Sequence, residues 1–314
     1  MKPERFRLLL RVTTTIVSVL VTVALVRAIL RDGPAALDAW RVADTRWTWI
    51  TISVASGLGG HAVLIAGWRR LLKDSRIPIA FWQAARLMLI SNLGRYLPAA
   101  KAWQMSIVAI IAAENNLPAA RVAASSLFYG LVGVAVGAIL LFWTGSTALG
   151  VQAYWLAVPL GGVVGLVAAP AVLNLVPRLR NTIVQRVPGL ESVTVGTMWA
   201  AVWTCALSWV AWGVGLYALA LGLMPQAGAS VAVYIAAWIG PFLAGVASVV
   251  APAGLGVRDE VMRTMLVTSG VNASGALVVM VVARIWATAL EVAPALVCLA
   301  LRPRSRHRAT ATEG

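Results

Sequence analysis

Six stretches of this sequence, at about residues 12–30, 48–67, 120–143, 153–176, 193–222 and 275–300, each run the thickness of a bilayer with few charges. A helix needs about 20 apolar residues to cross the hydrocarbon core. Inside that core every backbone amide must find its partner within the segment or within a closed barrel. These runs are continuously apolar and show no alternation, which selects helices. With 60% hydrophobic and 12% charged residues, the chain carries about half the charged share of a soluble domain, so a water-soluble enzyme is excluded. The basic start MKPERFRLLLR has the layout of a secretory leader. The apolar run from Val12 to Leu30 is too long for one, however, and no small-residue cleavage site closes it, so a retained first span is expected.

Two further apolar regions, 79–113 and 231–268, are interrupted near the middle by proline and glycine, in RYLPAAKAW and VVAPAGLGVRDEV. Each is either a re-entrant hairpin or a pair of short spans, and both options return the chain to the side it entered from. Lysines and arginines then set the orientation. Sixteen fall in the N-terminus, the loops 68–78, 114–121 and 177–192, and the tail, against three in the 31–47 loop, which places both termini in the cytoplasm. The expected fold is an all-α polytopic membrane protein of about six full spans plus two broken segments. It forms one integral membrane domain over 1–301 with a basic cytoplasmic tail, 302–314. Span, span, broken segment, span describes residues 12–143 and again 153–300. The first half crosses an odd number of times, so the second starts from the opposite side. That is the layout of an inverted-topology repeat, whose paired Gly/Pro interruptions point to a binding site; a bundle with two unrelated proline kinks would read the same way.

Seven cations remain inside the apolar segments: Arg27, Arg86, Arg95, Lys101, Arg258, Arg263 and Arg284. A charge at the centre of a span costs about 2.5–3.5 kcal/mol on insertion scales, so a deep one needs a partner or a wet cavity. Arg27 and Arg86 lie toward segment ends and read as structural. Arg95 and Lys101 flank Pro98, where the helix must break because proline lacks the amide hydrogen and clashes with the preceding turn. Two readings fit them: an anion site at the break, or a contact with phospholipid headgroups at the membrane edge. Asn92, one turn earlier, is placed either to cap carbonyls freed by the break or to touch a substrate.

The second break is the densest polar cluster in the apolar chain. Pro252, Gly254 and Gly256 permit a tight backbone, and a helix then opens whose free amides favour an anion, with Arg258 available for a bidentate phosphate contact. Asp259 and Glu260 suit the same helix start and are also candidate partners of Arg258, Arg263 or Arg284, which leaves a structural ion-pair network as the competing reading. In the last span Arg284 and Glu291 are seven residues apart on one face, and both are expected to point inward. Glu291 is either a proton carrier or the partner of a cation on another segment.

Other conspicuous residues read more plainly. Trp40, Trp47, Trp68, Trp143 and Trp155 fall near span ends, where aromatic belts belong. Trp199, Trp203, Trp209 and Trp212 lie along one span as packing residues. His61 is a lone imidazole within a span, and Cys205 and Cys298 sit in apolar segments, so neither a metal site, a disulfide framework nor a cofactor is expected. The net charge of +15 fits anionic lipid headgroups, and nucleic acid is not an expected partner.

The run from Pro241 through VVAPAGLGVRDEV to ARIWATALE resembles the C-terminal signature of the lysylphosphatidylglycerol synthetase transmembrane, or flippase-like, family. Ala253 stands in place of that pattern's first glycine, and Asp259 with Glu260 fills its acidic place. The first break is similar to the family's N-terminal motif. Asn92, Arg95, Tyr96, Leu97, Pro98, Lys101 and Trp103 fit it, Ala99 and Ala100 carry one extra small residue, and Met105 or Ser106 stands where an arginine often follows. The resemblance implies paired re-entrant segments in the cytoplasmic membrane of a prokaryote. It also implies binding, and translocation between leaflets, of an anionic phospholipid or a polyprenyl-linked lipid for envelope biogenesis. The substrate site would then use Arg258, Asp259, Glu260, Gly254, Gly256, Pro252, Arg95, Lys101, Pro98, Asn92, Arg284 and Glu291. Aminoacylation in full-length relatives belongs to an appended soluble domain, and this chain stops shortly after its last span, so a complete synthetase is not expected. A non-transporting subunit that scaffolds an envelope-biosynthesis enzyme is the alternative. An intramembrane transferase using Asp259, Glu260 or Glu291 as acid or base is weaker, because no nucleophile or nucleotide motif accompanies them.

Overall fold

The computed structural model describes residue 34 and residues 45–96, 100–149, 194–224, 228–247 and 256–301. All elements among them are helical. Four helices, α1 (Trp47–Asp74), α4 (Ala119–Leu149), α5 (Val195–Leu223) and α8 (Ala273–Ala300), contain stretches long and apolar enough to cross a membrane. They coincide with the spans expected at 48–67, 120–143, 193–222 and 275–300, and the chain is a multi-pass helical membrane protein. The spans expected at 12–30 and 153–176 lie outside the described residues, as does the tail. Helix α1 continues past residue 67 through Arg69, Arg70 and Lys73, because backbone hydrogen bonding persists once exposed charged side chains can reach water.

The region 79–113 comprises α2 (Phe81–Asn92), a 3-10 turn (Leu93–Tyr96) and α3 (Ala100–Glu114). The region 231–268 comprises α6 (Val231–Ala247) and α7 (Val257–Thr268). At 1.5 Å per residue the longest of these, the 17-residue α6, covers about 25 Å, short of a hydrocarbon core near 30 Å. The 3-10 turn tightens the chain before Pro98, whose ring disfavours a helical residue ahead of it. Gly94 makes that turn passable. A methyl group there would lie 2.8 Å from the backbone nitrogen of Gln104 and 3.0 Å from the carbonyl carbon of Trp103, so α3 crosses the turn backbone against backbone. Gly94→Ala is expected to lower stability by about 1–3 kcal/mol, seen as a lower thermal midpoint in detergent. Gly59→Ala is the control, since nothing lies within 4 Å of the added methyl.

Helix starts are locally encoded. The Thr194 hydroxyl accepts from the Thr197 amide at 3.2 Å to open α5, and Asn272 Oδ1 accepts from the Gly275 amide at 2.6 Å to open α8. Helix α7 opens at Gly256, whose φ of 80° suits glycine, and the Gly256 amide donates to Asp259 Oδ2 at 3.1 Å.

Helices α1 and α5 lie along each other in opposite directions. The Arg46 amide donates to the Gly222 carbonyl at 3.0 Å at one end, and the Thr197 hydroxyl donates to Asp74 at the other. The packing partners recur when the halves are exchanged: α1 on α2 as α5 on α6, α3 on α4 as α7 on α8, and α4 on α6 as α8 on α2. The apolar interior divides in the same way. One buried cluster draws on residues 212–290, centred on Leu216, Tyr234, Leu266 and Val279. The other draws on α1 to α4, with Ala201, Cys205, Ala295 and Cys298 added from α5 and α8.

One aromatic side chain departs from its expected place. Trp47 and Trp143 are exposed, as belt residues would be, but Trp68 is 1% exposed and donates through its indole N–H to Ser125 Oγ at 3.2 Å. Its position near the end of the apolar run concealed its partner on α4. Arg86, read as structural, is buried on α2, and its Nε has no hydrogen-bond partner among the described residues. Trp40 and Trp155 lie outside the described residues.

Candidate functional site

Helix α8 carries the two charged side chains around which the breaks assemble. Arg284 is the twelfth and Glu291 the nineteenth of its 28 residues, so they straddle its midpoint about 10.5 Å apart. The 3-10 turn of the first break reaches Glu291: Arg95 Nη1 donates to Oε1 at 2.6 Å and the Tyr96 hydroxyl donates to Oε2 at 2.8 Å. The start of α7 at the second break reaches Arg284, whose Nη1 donates to Asp259 Oδ1 at 2.8 Å and Oδ2 at 2.9 Å. Glu291 is therefore the partner of a cation on another segment. Each break is tied by an ion pair to the same helix at mid-length, where low dielectric makes an unpaired charge expensive.

Arg258 stands apart from both pairs. Among the described residues it makes no hydrogen bond or ion pair, and its guanidinium lies 5.5 Å from the centroid of the Phe242 ring. It lines two adjoining cavities. The smaller, about 50 Å³, is bounded by Arg95, Tyr96, Arg258, Asp259, Arg284 and Glu291, with Pro241 and Thr288. Three arginines face two carboxylates there, and both carboxylates are engaged by Arg95 and Arg284. Among the described residues the positive charge of Arg258 is left without an ion-pair partner.

The larger cavity, about 170 Å³, extends from Arg258 between α1, α2, α4, α5 and α6. Its aromatic wall includes Trp209, Trp212, Trp238 and Phe242. Trp212 stacks on Trp238 with ring centroids 4.9 Å apart and meets His61 edge-on at 4.8 Å. His61 also contacts the Gly57 carbonyl through Nδ1 at 3.3 Å. The uncharged polar side chains of Asn92, Gln104, Ser126 and Ser208 line the same cavity.

Of the residues singled out in the sequence, Arg95, Arg258, Asp259, Arg284 and Glu291 come together. Asn92 lines the larger cavity and accepts from Gln104 Nε2 at 2.7 Å; this bond joins the two arms of the first break, so the expected capping of freed carbonyls is replaced by a side-chain clasp. Glu260 points elsewhere, held by Arg263 at 2.7 and 3.0 Å and by the Thr264 hydroxyl, on the first turns of α7. It lines neither cavity, because adjacent helical residues project about 100° apart and Asp259 takes the inward face. Gly256 forms the start of α7. Pro98, Pro252 and Gly254 lie outside the described residues, as does the side chain of Lys101.

Sequence reasoning passed over Gln104, Ser126, Ser208 and Phe242 as site residues. Gln104 and Ser208 are polar residues in predominantly apolar helices, which is a usable signal. Nothing local distinguishes Phe242 from other apolar residues of α6. Trp209 and Trp212, read as packing residues, do pack, and they also bound the cavity.

No curated protein sequence matches the chain with significance. A family model described as the lysylphosphatidylglycerol synthase TM region matches residues 15–295, which takes in both breaks, α8 through Glu291 and every charged residue of the two cavities. A match over that share of the length, with the paired breaks meeting on one helix, means that the chain belongs to the lysylphosphatidylglycerol synthase TM region family.

Proposed function

We propose that this protein binds the anionic headgroup of a lipid between its two broken segments and carries that lipid between the leaflets of a prokaryotic cytoplasmic membrane. Family membership supports the link to lipid handling. The observation that carries the reading is Arg258, a cation beside the middle of α8 that has no ion-pair partner among the described residues and lines two cavities. A fully compensated network would need no ligand; among the described residues this one is short by one negative charge, and a phosphate supplies it with geometry suited to a guanidinium.

In this reading the two halves form an inverted repeat. The first break enters from the cytoplasm and the second from outside, following the charge count, and each is a hairpin too short to cross alone. Their tips close on opposite sides of the headgroup. The Arg95–Glu291 and Arg284–Asp259 pairs brace those tips against α8, and rocking of one half past the other opens the site alternately to each side. Acyl chains stay in lipid while the headgroup passes. The two carboxylates hold arginines in place, so the protein moves its ligand without acting on it as an enzyme.

The test is reconstitution of the purified chain in liposomes with a fluorescent phosphatidylglycerol and a membrane-impermeant quencher. Quenching of inner-leaflet label several-fold faster than in protein-free vesicles is expected. A rate equal to protein-free vesicles, together with stoichiometric co-purification of an envelope glycosyltransferase or lipid-modifying enzyme, would replace transport with scaffolding.

A further inference from the structure

The larger cavity has a direction. Helices α1 and α5 run antiparallel, and α6 runs back along α5, with Tyr234 beside Tyr217 toward its Val231 end and Phe242 beside Trp209 further along. Positions on the three helices can therefore be compared by depth. Helix α1 lines the cavity from His61 to Trp68, α5 from Cys205 to Trp212 and α6 from Trp238 to Val246. Each stretch begins near the middle of its helix and extends toward the Asp74 end of α1, the cytoplasmic side on the charge count. The lining residues furthest from that end are His61, Trp212 and Trp238, and their rings touch: Trp212 meets His61 edge-on at 4.8 Å and stacks on Trp238 at 4.9 Å. An aromatic layer thus stops the cavity on its outer side.

Trp286 of α8 backs that layer. Its ring meets Trp212 and Trp238 edge-on, with centroids 5.2 and 5.7 Å away. It sits in a slot between α1 and α5 walled by glycines, where a methyl at Gly57 would lie 3.1 Å from the ring and one at Gly215 would lie 3.0 Å from it. On the cavity side the indoles of Trp68 and Trp209 are paired, with Ser125 Oγ at 3.2 Å and the Gly133 carbonyl at 2.8 Å. On the outer side the Trp286 indole N–H and the hydroxyls of Ser53 and Tyr234 are buried with no hydrogen-bond partner among the described residues. Buried indoles and hydroxyls ordinarily have one. Water would supply all three if the layer parted, which offsets the loss of ring packing and gives the seal a second accessible state. We propose that Trp212, Trp238 and Trp286 form the outer gate of the lipid pathway, shut in this structure while the larger cavity faces the cytoplasmic side, and that it opens as Trp286 leaves the slot between Gly57 and Gly215. The proposal rests on the transport reading above and adds to it the state and the moving part. Helix α8 couples gate to site, because Trp286 lies two residues from Arg284 and five from Glu291, to which the two breaks are tied.

The test is the reach of a small membrane-impermeant methanethiosulfonate to single cysteines in the full chain, with Cys205→Ala and Cys298→Ala as background, in spheroplasts and in inverted membrane vesicles. Ser126→Cys, on the cavity wall, should react from the cytoplasmic face. Ser53→Cys, behind the tryptophans, should react from neither face. Adding Trp286→Ala should raise the rate at Ser53→Cys from the outer face at least tenfold. Gly215→Ala, whose methyl intrudes on the slot, should shift that rate several-fold in the same direction, and it decides the matter if Trp286→Ala does not fold. A Ser53→Cys thiol that reacts as fast as Ser126→Cys with the tryptophans intact, or that stays protected in Gly215→Ala and in folded Trp286→Ala, overturns the gate. So does reaction of Ser126→Cys from the outer face alone, since the cavity then opens the other way. Failure of the transport reading is a separate result, in which the parent moves labelled phosphatidylglycerol no faster than protein-free vesicles whatever the labelling pattern.

Discussion

Arg258→Ala is expected to slow lipid translocation about ten- to a hundredfold in reconstituted vesicles, with little change in thermal stability. A hydrogen bond to a charged group is worth about 1.5–3 kcal/mol, and each 1.4 kcal/mol is a factor of ten. Stability should hold because Arg258 has no ion-pair partner among the described residues, so its removal orphans no carboxylate and relieves an uncompensated positive charge. That combination separates a ligand-binding arginine from a structural one. Phe242→Leu keeps the charge and removes only the ring beneath it. It should cost about 0.5–1 kcal/mol, or two- to fivefold in rate. A transport rate unchanged in Arg258→Ala would take the arginine out of the pathway. A large loss of stability would mean that it holds the helices together.

Glu291→Ala should have the opposite profile, a stability loss of about 3 kcal/mol. Removing one partner of a buried pair costs about 3–5 kcal/mol because the other charge is left unpaired in low dielectric. Glu291 is 9% exposed, and its loss orphans both the Arg95 guanidinium and the Tyr96 hydroxyl. The value belongs at the lower end because the Arg95 side chain is 24% exposed and finds some water. Chemical or thermal unfolding in detergent measures it. The double variant Arg95→Met/Glu291→Met should recover much of the loss, since well-packed apolar residues replace buried ion pairs at little net cost. A single-variant loss below about 1 kcal/mol, the range of exposed pairs, would show that the first break is not braced through Glu291.

The legibility of this fold in its sequence follows the range of the forces involved. Helix α8 could be read to within two residues, as 275–300 against Ala273–Ala300, because its long apolar run is a local fact. The breaks could be read because proline and glycine act on their own backbone. Arg284 and Glu291 could be placed on one inward face by helical period alone. Trp68 could not be placed, because its burial depends on neighbouring helices, α4 among them, rather than on the end of its own apolar run. Glu260 was indistinguishable from Asp259 until the direction of α7 fixed which of the two faces α8.

The sequence by itself determined that this chain lives in a membrane, where four of its spans run, where two segments break, and which ionisable residues sit too deep to be solvated. Hydrophobic length, charge bias and backbone chemistry are written residue by residue. The tertiary structure alone decided the partnerships: Glu291 with Arg95 across 196 positions, Asp259 with Arg284 across 25, and Arg258 with neither. Two carboxylates and three arginines can be matched in several ways that local rules do not distinguish. Helix packing selects among them by bringing the 3-10 turn and the start of α7 to the middle of α8, and the arginine left over becomes the candidate headgroup site.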